Sequence, residues 1–284
     1  MDDEFARALE RLERFQQRDG DRIGAAGRTL ALVHPSRTPR AALLFHGLTA
    51  SPMQFGNVAR ALFERGYNVL VPRLPRHGYA DRMSTALASL TVDELKDAAE
   101  QSLEIVRGLG RRVTVSGFSV GGLLTSWIAQ REDVDRAVPL MPFLGVIGVP
   151  DWLAAKLAAL ALRLPNAFLW WDPIARERQM PAHGYPRYPT HAVARAYLLA
   201  RELLEACATQ APLAREIVVV NNRHETTVSN RAIALLVRRW RERRRDIETF
   251  AFDDLPFSHD VIEPLRHAWI LEKVYPRLLR ILAP

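Results

Sequence analysis

Cysteine is almost absent from this 284-residue chain, which carries only Cys207. An intramolecular disulfide framework is therefore excluded, and a cytoplasmic setting is the simplest expectation. The lone thiol lies in the helix-like stretch Leu203-Leu204-Glu205-Ala206-Cys207. It reads as a packing residue, not a nucleophile. Long hydrophobic runs are absent as well. The most apolar stretch, near Leu153–Leu164, is short and broken by Lys156 and Arg163. It cannot span a bilayer, and docking of Asp151–Arg163 on a lipid surface is the less favoured reading. The start, Met1-Asp2-Asp3-Glu4-Phe5, is acidic and lacks the apolar run of a secretory signal. Lysine is scarce, so the net charge of +7 is carried by arginine. Much of the excess sits in Arg238-Arg239-Trp240-Arg241-Glu242-Arg243-Arg244-Arg245. No nucleic-acid motif accompanies that run, which reads as a solvated helix face and implies no nucleic-acid partner.

What is present is an alternation of strand and helix patterns. Residues 4–18 place Phe5, Leu9, Leu12 and Phe15 on one helix face, an N-terminal helical extension over residues 1–20. Strands are expected at Thr29–Val33, Ala41–Phe45, Tyr67–Val71, Arg112–Ser116, Ala137–Met141, Ile217–Val220 and Ile247–Phe252. Helices are expected at Met53–Arg65, Thr91–Gly108, Val120–Gln130, about Val228–Arg244 and Pro264–Leu282. The second of these opens on the capping-box pattern Thr91-Val92-Asp93-Glu94. Such alternation predicts an α/β fold, with a mostly parallel sheet covered on both faces. Between Gly145 and Pro212 the alternation stops. Helix-like segments, a Trp170-Trp171 pair and seven prolines take its place. A structureless loop of that length is improbable in a compact domain, so residues 145–212 read as a helical cap inserted in a single domain spanning 1–284.

The segment Gly117-Phe118-Ser119-Val120-Gly121 sets G-x-S-x-G between a predicted strand and a predicted helix. In that context the serine sits on a sharp turn above the sheet edge, beside the positive end of a helix. A serine hydroxyl needs a base, and the base a carboxylate, in the chain order serine, acid, histidine. His259, in the loop after the last strand, is the histidine that fits; the others read as ordinary surface or loop residues. After Ile217–Val220 the turn Asn221-Asn222-Arg223-His224-Glu225 offers Glu225 alone as the acid. Asp253 and Asp254 are the runners-up, and Asp260 reads as a loop cap. Oxyanion donors are expected from the backbone N–H groups of Val120 and of Leu48, in His46-Gly47-Leu48.

These residues carry a resemblance. His46-Gly47-Leu48-Thr49-Ala50-Ser51-Pro52, Pro72-Arg73-Leu74-Pro75-Arg76-His77-Gly78, Gly117-Phe118-Ser119-Val120-Gly121-Gly122 and His259 with Val261 and Ile262 resemble the α/β-hydrolase superfamily. The likeness is to bacterial carboxylesterases and monoacylglycerol lipases, including serine aminopeptidase-like proteins. It covers roughly residues 28–284. It implies an eight-stranded core, hydrolysis through an acyl-enzyme, neither cofactor nor metal, and a cap that shapes an acyl pocket. This chain has Glu225-Thr226-Thr227-Val228 where the family usually has aspartate, so the segment must sit further from the histidine. It also has Arg76 where the family usually has glycine, which suggests an arginine near the site entrance that narrows it or favours an anionic substrate. Trp152, Leu157, Trp170 and Trp171 are the expected lining for an aliphatic acyl group. A carboxylic ester is thus the expected substrate. An amidase or peptidase, a C–C hydrolase or perhydrolase, and a silent binding protein are the alternatives.

Overall fold

The structure is a computed structural model and describes residues 2–179 and 181–284. Helix α1, Asp3–Gln16, starts where the Asp2 carboxylate accepts the Glu4 N–H, and it buries Phe5, Ala8, Leu12 and Phe15. Strands β1 (Leu30–Leu32) and β2 (Thr38–Phe45) follow. The next helix-like stretch begins with a tight turn at Pro52–Phe55 and becomes helix α2 only at Gly56–Phe63. Strand β3 is Tyr67–Val71, buried throughout. Helix α3, Val92–Leu109, has the capping box read from Thr91 and Glu94, with both reciprocal bonds made. Then come β4 (Gly110–Phe118), α4 (Val120–Arg131) and β5 (Arg136–Leu140).

The stretch after β5 holds α5 (Asp151–Arg163), a two-stranded antiparallel ribbon of β6 (Phe168–Trp170) and β7 (Arg187–Pro189), and α6 (Thr190–Thr209). The chain then returns to the sheet with β8 (Glu216–Asn222), α7 (Asn230–Arg243) and β9 (Glu248–Phe252). The expected long final helix is shorter. Residues Ile270–Val274 form a π turn and only Tyr275–Leu282 is α-helix, α8. Pro276 explains the break, since it has no N–H to donate and its ring crowds the carbonyl one turn back.

The main sheet runs β1-β3-β2-β4-β5-β8-β9. All neighbours are parallel except the β1–β3 pair at one edge. Seven strands stand where the resemblance implied eight. Before β1, residues 17–29 carry Arg18, Asp19, Gly20, Asp21 and Arg22 in place of an apolar run, and they contribute one isolated bridge, Ile23 to Tyr79. Helix α2 packs with α8, while α1, α3, α4, α6 and α7 form a second connected layer. Because the strands are parallel, the loops after β2, β4, β8 and β9 emerge at one end of the sheet, where open α/β sheets place their sites.

Two features seen in the sequence find their physical role here. Cys207 is fully buried, its thiol donates to Gln130 Oε1 at 3.1 Å, and burial pushes it up to about 12. It therefore stays a thiol at neutral pH. Trp240 Nε1 donates to the same oxygen at 2.7 Å. The arginine run is not simply solvated. Arg239 and Arg243 donate to the Leu204 and Ala208 carbonyls at the end of α6, and Arg244 donates to those of Ala214 and Arg215. Of these acceptors the Ala208 carbonyl lies in the last turn of α6, which leaves carbonyls without intrahelical partners, and those of Ala214 and Arg215 lie in the connection to β8. Among the described residues no helix is long and apolar enough to cross a membrane.

Helix α1 is packed as core: Phe5 is 1% exposed. Phe5→Ala should therefore lower stability in urea unfolding by about 3 kcal/mol. Activity per folded molecule should be unchanged. A change below about 1 kcal/mol would show that α1 is dispensable.

Candidate active site

Ser119 sits between β4 and α4 with φ of 56° and ψ of −111°, a left-handed backbone that costs a non-glycine residue about 1–3 kcal/mol. Its neighbours make the turn compulsory. A Cβ on Gly121 would lie 2.0 Å from the Phe45 carbonyl oxygen, and one on Gly117 would lie 2.3 Å from that of Gly121. Ser119 N–H donates to Leu140 O at 3.0 Å, and its carbonyl accepts from Leu123 and Phe143. The side chain is thereby lifted out of the sheet and into a cavity.

His259 reaches it from the loop after β9. Its Nε2 lies 3.0 Å from Ser119 Oγ and its Nδ1 2.8 Å from Glu225 Oε1. Phe118 packs against the imidazole with ring centroids 4.7 Å apart. Glu225 is buried in the turn after β8. Its Oε1 also accepts the N–H groups of Thr226, Thr227 and Val228, at 2.8, 2.8 and 3.3 Å. The side chain curls back over its own turn, and that curl absorbs the extra methylene of glutamate. The two runners-up lie elsewhere. Asp254 pairs with Arg277 at 2.8 Å, and Asp253 is exposed. Asp260 caps its loop by accepting from Ile262 and Glu263 N–H, each at 3.0 Å.

The cavity has a volume of about 320 Å³, and Leu48, Ser119 and His259 all line it. Among the described residues, neither the Leu48 nor the Val120 N–H donates to a protein acceptor. Phe118, Leu48, Trp171 and Phe257 supply apolar surface; Gln54, Thr226, Thr227, Asp260, Glu263, Arg266 and His267 supply polar surface. Of the expected acyl-pocket residues, Trp171 lines the cavity and donates from Nε1 to Thr49 Oγ1 at 2.8 Å. Trp152, Leu157 and Trp170 do not. Trp152 and Leu157 are 64% and 47% exposed, because α5 turns its small residues Ala154 and Ala158 inward instead. Trp170 is half-buried in the β6–β7 ribbon. Arg76 also faces away from the cavity, pairing with Glu94 at 2.8 Å, so it cannot select substrates at the mouth.

Three histidines assigned to the surface or loops are structural parts of this site. His46 and His77 are fully buried. His77 Nδ1–H donates to Pro75 O at 2.8 Å while Nε2 accepts the Thr49 N–H at 3.3 Å. His46 Nδ1–H donates to Gly47 O at 2.9 Å while Nε2 accepts the Leu74 N–H at 3.2 Å. Each ring is thus a neutral cross-tie beneath the loop that presents the Leu48 N–H. His183, from the segment before β7, lies 2.9 Å from Ser51 Oγ and 2.8 Å from Glu263 Oε2. Tyr185 joins the same segment to the core, its N–H donating to Thr49 O at 2.7 Å and its hydroxyl to Arg76 O at 3.1 Å. No spacing in the sequence separates such rings from surface histidines; the adjacent His-Gly pairs at 46 and 77 are the nearest signal.

Burial lowers His77 from the ordinary value of 6.5 to about 4, and it lowers His46 well below that ordinary value. A depressed histidine means that the unfolded chain binds protons the folded one refuses. Stability should therefore fall as pH drops from about 6.5 towards 4, by on the order of 2–3 kcal/mol for His77. Melting temperatures across that window should show the fall in the wild type and a shallower one in His77→Gln. Equal slopes would show that His77 titrates normally.

Residues 42–276 match the alpha/beta hydrolase family. No curated protein matches the sequence. Among solved structures, one from the metagenome-derived lipolytic enzymes LipS and LipT superposes with a TM-score of 0.67 at 18% identity, covering 91% of this chain and 99% of its own. A monoacylglycerol lipase of Paleococcus ferrophilus gives 0.66 at 17% identity, with coverages of 89% and 97%. A soluble variant of the Saccharomyces cerevisiae monoglyceride lipase gives 0.67 at 13% identity, with 90% of each chain covered. At such identities the likeness is one of fold. The match over residues 42–276, laid on a parallel sheet that carries Ser119 at the turn after its central strand, shows that this chain belongs to the alpha/beta hydrolase family.

Proposed function

We propose that the protein is a serine hydrolase that cleaves carboxylic esters through an acyl-enzyme. The observation that carries this reading is the relay in which His259 faces Ser119 Oγ at 3.0 Å and Glu225 Oε1 at 2.8 Å through opposite ring nitrogens. With Nδ1–H donated to Glu225, Nε2 is the free base. It takes the Ser119 proton as Oγ attacks the ester carbonyl, while Glu225 orients the ring and stabilises the imidazolium. The carbonyl oxygen becomes an oxyanion between the unpartnered N–H groups of Leu48 and Val120. Imidazolium then protonates the leaving alcohol. A water activated by the same base attacks the acyl carbonyl and releases the acid.

The cavity also bears on the substrate. At about 320 Å³ it stands at the small end of ligand pockets, and its lining mixes polar and apolar groups. We therefore propose a short aliphatic acyl group, seated near Phe118, Leu48 and Trp171, in place of a long chain. Residues 145–212 act as a cap in this reading, since Trp171, Pro181, His183 and Tyr185 form one wall.

A fluorophosphonate probe should label the wild type and leave Ser119→Ala unlabelled. Among p-nitrophenyl esters, rates should peak at short acyl lengths and fall by decanoate, and the matching anilides should react at least about 100-fold more slowly. Equal rates on esters and anilides would overturn the ester reading. Glu225→Gln should lose about 10³–10⁴ in kcat. Full activity in that variant would remove Glu225 from the relay.

A further inference from the structure

Gln54 is 3% exposed, lies in the turn just before α2, and belongs to neither the relay nor the oxyanion donors. Its amide nevertheless touches the neighbours of both. Oε1 accepts the Gly47 N–H at 2.9 Å, and Nε2 donates to Asp260 Oδ2 at 3.2 Å. The orientation of the amide is forced, because one partner is a donor and the other a carboxylate. Gly47 immediately precedes Leu48, and Asp260 immediately follows His259.

Each contact lands on a residue that is otherwise held on its far side. The Gly47 carbonyl accepts from His46 Nδ1–H and from the Ala50 N–H, so the Gln54 bond closes the remaining side of that residue. Asp260 Oδ1 is occupied by the Ile262 and Glu263 N–H groups, and Oδ2 faces Gln54 and Arg266, the latter at 3.2 Å. Phe118 fills the space between, 3.2 Å from where a Gly47 Cβ would stand and in contact with the His259 ring. Gln54 is thus the polar strut across the cleft in which the tetrahedral intermediate would form.

We propose that Gln54 is a positioning residue: although it lines the cavity, its amide is spent on Gly47 and Asp260, so that it fixes the distance between the oxyanion donor at Leu48 and the base at His259 and thereby sets the rate of acyl transfer. This rests on the serine-hydrolase reading above. An interaction that matters only when oxyanion and imidazolium form together acts on kcat. Misplacement of such groups by about 1 Å costs on the order of 100-fold.

The test exchanges donor and acceptor across one contact. Gln54→Glu keeps an acceptor for Gly47 but sets a carboxylate against Asp260. It should lower kcat on a p-nitrophenyl ester by about 10–100-fold, with KM within about threefold. The ratio of variant to wild-type kcat should rise as pH falls, because the introduced carboxyl, once protonated, donates to Asp260 as the amide does. Adding Asp260→Asn reverses the polarity of the bond, and the double variant should regain at least about tenfold over Gln54→Glu. Melting temperature and fluorophosphonate labelling of each variant separate lost folding from lost positioning. With the wild type labelled at Ser119, a folded Gln54→Glu of unchanged kcat, or a double variant no better than the single, would overturn the proposal. Absence of Ser119-dependent labelling in the wild type would overturn the hydrolytic reading and this one with it.

Discussion

The Phe45 carbonyl oxygen occupies the place where any residue but glycine at 121 would carry its Cβ. That backbone-to-backbone approach joins the end of β2 to the first turn of α4, and the rest of the site depends on it. Register reinforces it, since Phe45 stands opposite Gly117 in the β2–β4 ladder. Leu48, just past β2, therefore lines the same cavity as Ser119, which is followed at once by Val120 at the head of α4. The left-handed Ser119 backbone is the strain that this arrangement stores. Hydrogen bonds to Leu140, Leu123 and Phe143 hold it, so three neighbouring segments would have to move for the turn to relax.

Loops built around such a turn leave many peptide groups away from water. Beneath the Gly47–Thr49 segment, where they are fully buried, the protein satisfies them with neutral polar side chains instead of charges. An imidazole with one N–H and one lone pair can accept from one peptide N–H and donate to another carbonyl, and His46 and His77 do this under the Gly47–Thr49 segment. Burial of a neutral ring costs far less than burial of a charge. Nearer the surface a charge serves instead, at Arg82. Its guanidinium is spent on the carbonyls of Glu177, Gln179 and Gly184, fastening the segment that ends in Tyr185. Thr49, with φ of 65°, is pinned between these groups by Tyr185 and Trp171.

How much of this was legible follows from where each signal originates. The strands were readable because β2 and β3 are buried runs of largely consecutive apolar residues, while β4 sets Val113 and Val115 in alternation with small polar residues. Ser119, Glu225 and His259 were readable as candidates because chain order and strand ends suffice to nominate them, and the structure brings the three together. The buried histidines were not, since a loop histidine becomes a core residue only when distant loops close over it. The edge of the sheet was misjudged for the opposite reason. The resemblance supplied a strand count, while residues 17–29 have no apolar run to form one. Pro276 was visible as well, and its missing N–H is a local signal of the break that the single expected helix over Pro264–Leu282 passed over.

The insertion teaches the same lesson about substrate. Trp152, Leu157, Leu160 and Leu164 look like a lining because they are large and apolar. Yet helix α5 lies closest to α6 through Ala154 and Ala158, small residues that permit close approach and leave the large side chains on the outer face. Lys156 lies over the Trp152 ring at 5.3 Å and partly covers it. Apolar mass in a helix therefore reports what that helix could cover, whereas a pocket is shaped by the side chains that loops turn inward. Here those are Leu48, Phe118, Trp171 and Phe257 beside Gln54, Thr226, Asp260 and Arg266. Phe118 adjoins Ser119, Thr226 adjoins Glu225, and Phe257, Asp260 and Arg266 lie in the segment that carries His259. The shape of the cavity and the Ser119–His259–Glu225 geometry consequently share backbone segments, and a change that reshapes one must be expected to disturb the other.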